Sequence, residues 1–345
     1  MVGPGWRRNC NKVKRTMTHL PPPPSVDPAS EYQPIPVGHL FSHAPGDFQV
    51  FLRHGDTHTL FARSGEAITG LRREMLGEYG VSTVYIHRDE RDRYRDYMRR
   101  HLAGALLGGQ MPVAEKAALF YHNCCEIVRD LIRQRLPQGL SDVHGRLFAG
   151  YARDSVAFLC SETGLARIGS LMAHDYDVFS HGVHVFVYTV YLLRSLGLPG
   201  PSIVQAGVGA LLHDSGKEAV DPAILNKPGR LTPEEFLAIK EHPVRGARLC
   251  RGLSLSRLAR ECILWHHEKL DGKGYPAGLS GQEIPVHVRA VTLADVYDAL
   301  TSKRCYAEAV RPFEALRIMR HEMAGAFDVD LYKRFVLLLS GAALL

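Results

Sequence analysis

Two adjacent pairs of polar residues stand at the ends of apolar runs: His213-Asp214 after Val208-Gly209-Ala210-Leu211-Leu212, and His266-His267 after Ile263-Leu264-Trp265. Imidazole and carboxylate at the end of a buried helix cost desolvation unless something compensates. A divalent metal compensates directly, because imidazole nitrogen and carboxylate oxygen suit iron, manganese and zinc. An aspartate can also bridge two ions, which makes a single Asp beside a His useful in a two-metal site. Two ions a few ångströms apart can hold a bridging hydroxide as nucleophile and bind phosphate oxygens, so the chemistry such a site supports is phosphodiester hydrolysis. Lys217, four residues after His213, can face the same pocket and donate to a phosphate or a metal-bound water. A lone histidine in a helix is ordinarily a satisfied or exposed side chain. Here the grouping argues otherwise, since His174, His181, His184, His242 and Asp295 share the same half of the chain.

The elements that must position these residues read as nearly all helix from about residue 145. Helical periodicity covers 150–163, 181–196, 203–214, 232–251, 256–267, 287–301, 312–325 and 328–339. The breaks fall at Leu198-Pro199-Gly200-Pro201, at Lys227-Pro228-Gly229 and in the glycine-proline loop 271–285. Thr232-Pro233-Glu234-Glu235 carries an N-cap threonine, a proline at the first helical position and an acid at the third. Upstream, the short runs 48–52, 59–62 and 81–86 read as strands, with Gly55-Asp56 as a turn; 66–78 and 91–105 read as helices. That stretch is a small α/β unit without a glycine loop, metal cluster or nucleophile arrangement. The spacing over residues 115–135 predicts a linker helix, with His122 and Cys124-Cys125 on or near its apolar face as packing residues. The expected division is a flexible basic and proline-rich leader over 1–40, a small α/β regulatory domain with its linker helix over 41–140, and an all-α helical domain over 141–345. The fold class is α+β overall.

A chain of 345 residues is comfortable for two domains, and 46% apolar with 23% charged residues is ordinary globular composition. The net charge of +6 is concentrated: Arg7, Arg8, Lys12, Lys14 and Arg15 lie in the first twenty residues with no acid. A basic tail of this kind is commonly disordered, so no nucleic-acid polymer is read as a partner. Seven cysteines without a Cys-x-x-Cys pair fit a reducing cytoplasm better than a disulfide framework or a zinc ribbon. No stretch approaches the roughly 18 apolar residues of a membrane span. A cytoplasmic protein is the expectation.

Set in order, the motifs resemble the HD-GYP family. His213-Asp214-Ser215-Gly216-Lys217 looks like the HD superfamily signature, with Ser where Ile is usual. The run His266-His267-Glu268-Lys269-Leu270-Asp271-Gly272-Lys273-Gly274-Tyr275-Pro276 resembles the segment that defines the HD-GYP subgroup, and Ala294 to Thr301 the element that follows it. His174-Asp175-Tyr176 with His181 looks like the opening helix and His242-Pro243 like the middle histidine; the likeness runs from about 170 to 340.

The resemblance implies an all-α HD-GYP domain that hydrolyses cyclic di-GMP to linear pGpG and further to GMP, with two or three divalent ions, iron or manganese favoured. It implies metal ligands at His181, His213, Asp214, His242, His266, His267 and Asp295, and a third-metal ligand at Asp177, where the family has the longer Glu. Asp214 and Lys217 are the catalytic candidates. Lys217, Arg289, Arg304 and the loop residues Gly274, Tyr275 and Pro276 are the substrate-binding candidates, and His184 is expected to pack or hydrogen-bond. The GYP loop is also expected to offer a surface to a GGDEF or other signalling protein, and residues 45–110 to regulate the helical half or mediate a homodimer. One departure stands out: the family reads Arg-Pro-Tyr followed by Lys or Arg where this chain has Arg304-Cys305-Tyr306-Ala307. The alternatives are a catalytically weak nucleotide-binding sensor or adaptor, and an HD phosphohydrolase acting on another cyclic dinucleotide.

Overall fold

The computed structural model describes residues 31–42, 44–108, 111–133, 142–160, 178–302 and 309–340. Two compact units divide the chain, Met1–Ala105 and Leu106–Leu345.

The first unit is built on four antiparallel strands, β1 (Tyr32–Pro36), β2 (Val50–His54), β3 (Thr57–Ala62) and β4 (Thr83–His87), in the order β1-β4-β2-β3. The two-residue turn Gly55-Asp56 joins β2 to β3, with Gly55 at φ 59°. Strand β1 corrects the expected leader, which was drawn to residue 40. Pro34 and Pro36 hid it, yet both are tolerated because, among the described residues, β1 pairs with β4 alone and its other edge needs no N–H donors. Helices α1 (Gly70–Glu78) and α2 (Arg91–Leu107) complete the unit. Ile35, Val50, Val84, Ile86 and Leu76 are buried with Phe48, Tyr94 and Tyr97, whose rings meet edge to face at 5.6 and 5.2 Å from Phe48.

The described residues of the second unit form helices and the turns between them: α3 (Val113–Arg133), α4 (Asp142–Leu159), α5 (Val178–Ser195), α6 (Gly200–Leu212), α7 (Pro222–Leu225), α8 (Pro233–Lys240), α9 (His242–Leu249), α10 (Arg257–Trp265), α11 (Val286–Thr301), α12 (Pro312–His321) and α13 (Val329–Leu339). Helix α5 is its axis, packing against α3, α4, α6, α11 and α13. Val183, Val185, Phe186, Val187, Val190, Leu192 and Leu193 of α5 are all buried, so apolar residues surround the helix instead of forming a stripe. Helix α6 lies between α5 and α10. A Cβ at Gly209 would stand 2.5 Å from Cys262 Cβ and 2.7 Å from the Ala259 carbonyl, so only glycine allows α6 this close to α10. On α3, Cys124 is buried and accepts a hydrogen bond from the Tyr151 hydroxyl at 3.3 Å.

The helix expected over 232–251 is two helices joined at Glu241. Pro243 explains the break, since it has no N–H for the Ile239 carbonyl. At the start of α8 the Thr232–Glu235 capping box forms as its sequence indicates. Among the described residues no helix is long and apolar enough to cross a membrane.

Candidate metal centre

Three histidines stand at helix C-termini, where the last carbonyls have no partner within the helix. His213 follows α6, His266 follows α10, and His242 follows the cap residue of α8. Each takes one free carbonyl with Nδ1: His213 on Ala210 at 2.6 Å, His242 on Ile239 at 2.7 Å, His266 on Ile263 at 2.9 Å. A carbonyl can only accept, so Nδ1 carries the proton in all three, and a neutral ring then presents a lone pair at Nε2.

Those lone pairs converge. His242 Nε2 and His266 Nε2 face each other at 3.1 Å, an arrangement that repels unless a cation lies beside them. His213 Nε2 and Asp214 Oδ1 are buried with no hydrogen-bond partner among the described residues. The two oxygens of Asp214 point to different histidines. Oδ2 lies 3.6 Å from His181 Nε2 and 3.5 Å from His213 Nε2; Oδ1 lies 3.3 Å from His242 Nε2 and 3.9 Å from His266 Nε2. Asp295 divides likewise, with Oδ1 3.1 Å from His181 Nε2 and Oδ2 3.7 Å from His267 Nδ1. The donor atoms thus fall into one group of His181, His213 and Asp295 and another of His242, His266 and His267, and Asp214 joins His213 and His266 between them. Within each group all donor atoms lie within 4.8 Å of one another. This donor set fits two divalent cations linked by carboxylates, with every histidine held in place by its second nitrogen or by packing.

The electrostatics agree with that fit. Burial and the neighbouring histidines hold His266 well below its ordinary value, and burial brings His267 down to about 3 and also lowers His213. Burial disfavours the charged form of Asp214 and Asp295, yet Lys217 and the surrounding imidazoles hold Asp214 well below the usual carboxylate range, and hydrogen bonding from His181 does the same for Asp295. Neutral imidazoles and ionised carboxylates are the forms that ligate metals. Burial lowers His181, but its hydrogen bonds to Asp295 and Asp298 outweigh this and push it up to about 9, so a cation bound at Nε2 would displace a proton there.

The cluster meets solvent at its partly exposed members, His267 and Lys217. Lys217 Nζ pairs with Asp214 Oδ2 at 2.5 Å from a short 3-10 turn and not from a continuation of α6. The Tyr275 ring lies 4.7 Å from that of His267, and the Tyr275–Pro276 peptide is cis. Gly274 lies against the backbone before it, where a Cβ would stand 2.4 Å from Glu268 Cα, so no side chain fits. Arg289 is placed elsewhere: its guanidinium holds Asp328 at 2.9 Å and the Ile284 carbonyl at 2.7 Å, with further bonds to Gly281 and Gln282. It fastens the loop before α11 to the cap of α13. His174, Asp177, Arg304, Cys305, Tyr306 and Ala307 lie outside the described residues.

Residues 170–331 match the profile of the HD domain family. This segment is an HD domain. Among curated proteins, the chain is 40% identical over 185 residues to a cyclic di-GMP phosphodiesterase of Pseudomonas aeruginosa, covering 53% of this chain and 44% of that protein. It is 38% identical over 229 residues to a 3'3'-cGAMP-specific phosphodiesterase of Vibrio cholerae, covering 64% of this chain and 49% of that protein. The chain thus spans about half the length of the curated relatives it matches. An HDG"Y"P protein from Bdellovibrio bacteriovorus shares the fold, with a TM-score of 0.66 at 21% identity over 90% of this chain and 100% of that one.

Two side chains of the HD domain act in ways the sequence reading did not assign. Glu268 is buried, and its carboxylate accepts from the backbone N–H groups of Ala277, Gly278 and Leu279 at 2.7, 3.2 and 3.0 Å, which clamps the loop after Pro276. Asp298 accepts from Nδ1 of both His181 and His184 at 2.7 Å. A signal for Asp298 was present: it follows Asp295 by three residues on an otherwise buried helix, and i, i+3 residues share a face.

Proposed function

We propose that this chain is a divalent-metal-dependent phosphodiesterase that hydrolyses cyclic di-GMP to linear pGpG, and onward to GMP. The observation that carries the reading is the division of Asp214 between two histidine groups, which suits two ions a carboxylate apart. His181, His213 and Asp295 would hold one, His242, His266 and His267 the other, with Asp214 between. Such ions, when bound, supply Lewis acidity that acidifies a water and neutralises phosphate oxygens. The chain's own residues do the rest. The carbonyl contacts at Nδ1 fix the three helix-end imidazoles, and burial excludes bulk water from all but the side at His267. Lys217 brings a positive charge to that open side, where a phosphate would approach. Tyr275, held against His267, and Pro276 bound the same side and would border a nucleotide. Relatives named as cyclic di-GMP phosphodiesterases support the substrate.

A second substrate has its own support, since a relative matched over 64% of this chain is named for 3'3'-cGAMP. Iron or manganese is the metal this reading favours, and Asp177 would serve a third ion. A cytoplasmic location, a regulatory or dimerising first unit, and a GGDEF or other signalling partner at the 271–285 loop belong to the same reading.

The test is product analysis of the protein loaded with manganese or, without air, with iron, given cyclic di-GMP and 3'3'-cGAMP in parallel. Conversion of cyclic di-GMP to pGpG at a higher kcat/KM is expected. Faster cleavage of 3'3'-cGAMP would move the substrate to the mixed dinucleotide. Full metal loading with no turnover of either would leave a nucleotide-binding sensor.

A further inference from the structure

A chain of hydrogen bonds leads away from the centre and reaches α3. His181 and His184 lie one turn apart on α5, with 0% and 3% side-chain exposure, and both direct Nδ1 at the same carboxylate. His181 Nδ1 lies 2.7 Å from Asp298 Oδ2 and His184 Nδ1 2.7 Å from Asp298 Oδ1; Ser302 Oγ adds a bond to Oδ2 at 3.3 Å. An ionised carboxylate only accepts, so both rings carry the proton at Nδ1. The direction of each bond follows. His181 is left to point Nε2 at Asp295 and Asp214, and His184 is left to point Nε2 at the hydroxyl of Tyr121, 3.3 Å away on α3. The Tyr121 ring also stacks on His184 with centroids 5.8 Å apart.

Asp298 is 2% exposed, and each of its oxygens accepts from a histidine Nδ1, one of them from a ring of the metal-competent cluster. It belongs to none of the donor groups, and its link to the centre runs through His181. His184, which carries the same imidazole as the cluster members, is turned away from them by this carboxylate.

We propose that Asp298 is a positioning residue for the metal centre, and that the chain Tyr121–His184–Asp298–His181 couples the placement of α3 to the affinity of the His181 half. Carboxylates and carbonyls behind a ligating histidine commonly change metal affinity by about 10- to 100-fold. Helix α3 is the first helix of the second unit and follows the first unit in sequence, so a displacement of α3 would be read at the ion on His181 first.

The inference rests on the two-metal reading, and one experiment separates them. The full-length protein, freed of metal, is titrated with Mn2+ by calorimetry, and His181→Ala identifies which binding step belongs to that half. In Asp298→Asn that step weakens by about 10- to 100-fold while the other stays within about twofold. Tyr121→Phe weakens the same step by a few fold and adds nothing on top of Asp298→Asn. Wild-type protein that takes up no Mn2+ would defeat the metal reading itself. Two normal steps in both variants, or equal losses at both steps in folded protein, would overturn the coupling. If Asp298→Asn loses its helical circular dichroism, Tyr121→Phe decides alone, by selective weakening or its absence.

Discussion

At the scale of single residues, Asp214 carries more of the centre than any other side chain. Its two oxygens reach histidines of both groups, so in the proposed two-metal centre its removal would disturb both ions and leave the imidazoles without the charge that offsets a dication. Asp214→Asn should lower activity by at least about 100-fold and reduce bound metal at both positions, measured by elemental analysis beside turnover. Glu268 gives a second prediction. Its buried carboxylate accepts three backbone N–H groups, and hydrogen bonds to a charged group are worth about 1.5–3 kcal/mol each. Glu268→Gln should lower the melting temperature by several degrees and raise KM more than it lowers metal content. Much of this was legible from residue types alone: the pairs His213-Asp214 and His266-His267 declared themselves because polar side chains follow apolar runs. The split between the two oxygens of Asp214 was not legible, since it depends on where four separate helices bring their ends. The bonds of Arg289 within the chain were not legible for a related reason. A guanidinium near a loop looks the same in sequence whether it meets a phosphate or, as here, Asp328 and backbone carbonyls.

At the scale of elements, the centre is made from helix ends. Orphan carbonyls at the C-termini of α6, α8 and α10 orient three imidazoles, and Pro243 supplies one of those carbonyls by having no N–H to spend on it. This is also why a single helix was expected over 232–251: the apolar spacing runs on across Glu241, and only the proline marks the break. Strand β1 was hidden the other way round, by prolines that an edge strand tolerates. The close approach of α6 to α10 yields a prediction at this scale. Gly209→Ala would place a methyl 2.5 Å from Cys262 Cβ and 2.7 Å from a backbone carbonyl, neither of which moves freely. Overpacking of that kind costs about 1–3 kcal/mol. Chemical denaturation should show that loss, with metal affinity reduced because His213 rides on α6.

At the scale of the whole molecule, the described metal-competent groups all lie in the unit from Leu106 onward, which has its own buried core around α5. A chain of residues 106–345 should therefore fold, with cooperative unfolding and metal binding intact. If the first unit regulates, its removal changes the rate without changing the product. A fragment that binds no metal would show instead that the first unit is needed to build the centre. The family likeness was readable because it rests on residues with chemistry at fixed spacing. The sheet order β1-β4-β2-β3 was not, because register and neighbours are set by long-range packing that no local pattern announces.

The central claim is that the His and Asp cluster is a two-metal centre. The most direct measurement is the metal content of the full-length protein purified without air, by elemental analysis, beside that of Asp214→Asn. Two transition-metal ions per wild-type chain, falling below one in the variant, is the predicted result. A wild-type chain that holds no metal, even after incubation with manganese or iron, would contradict it.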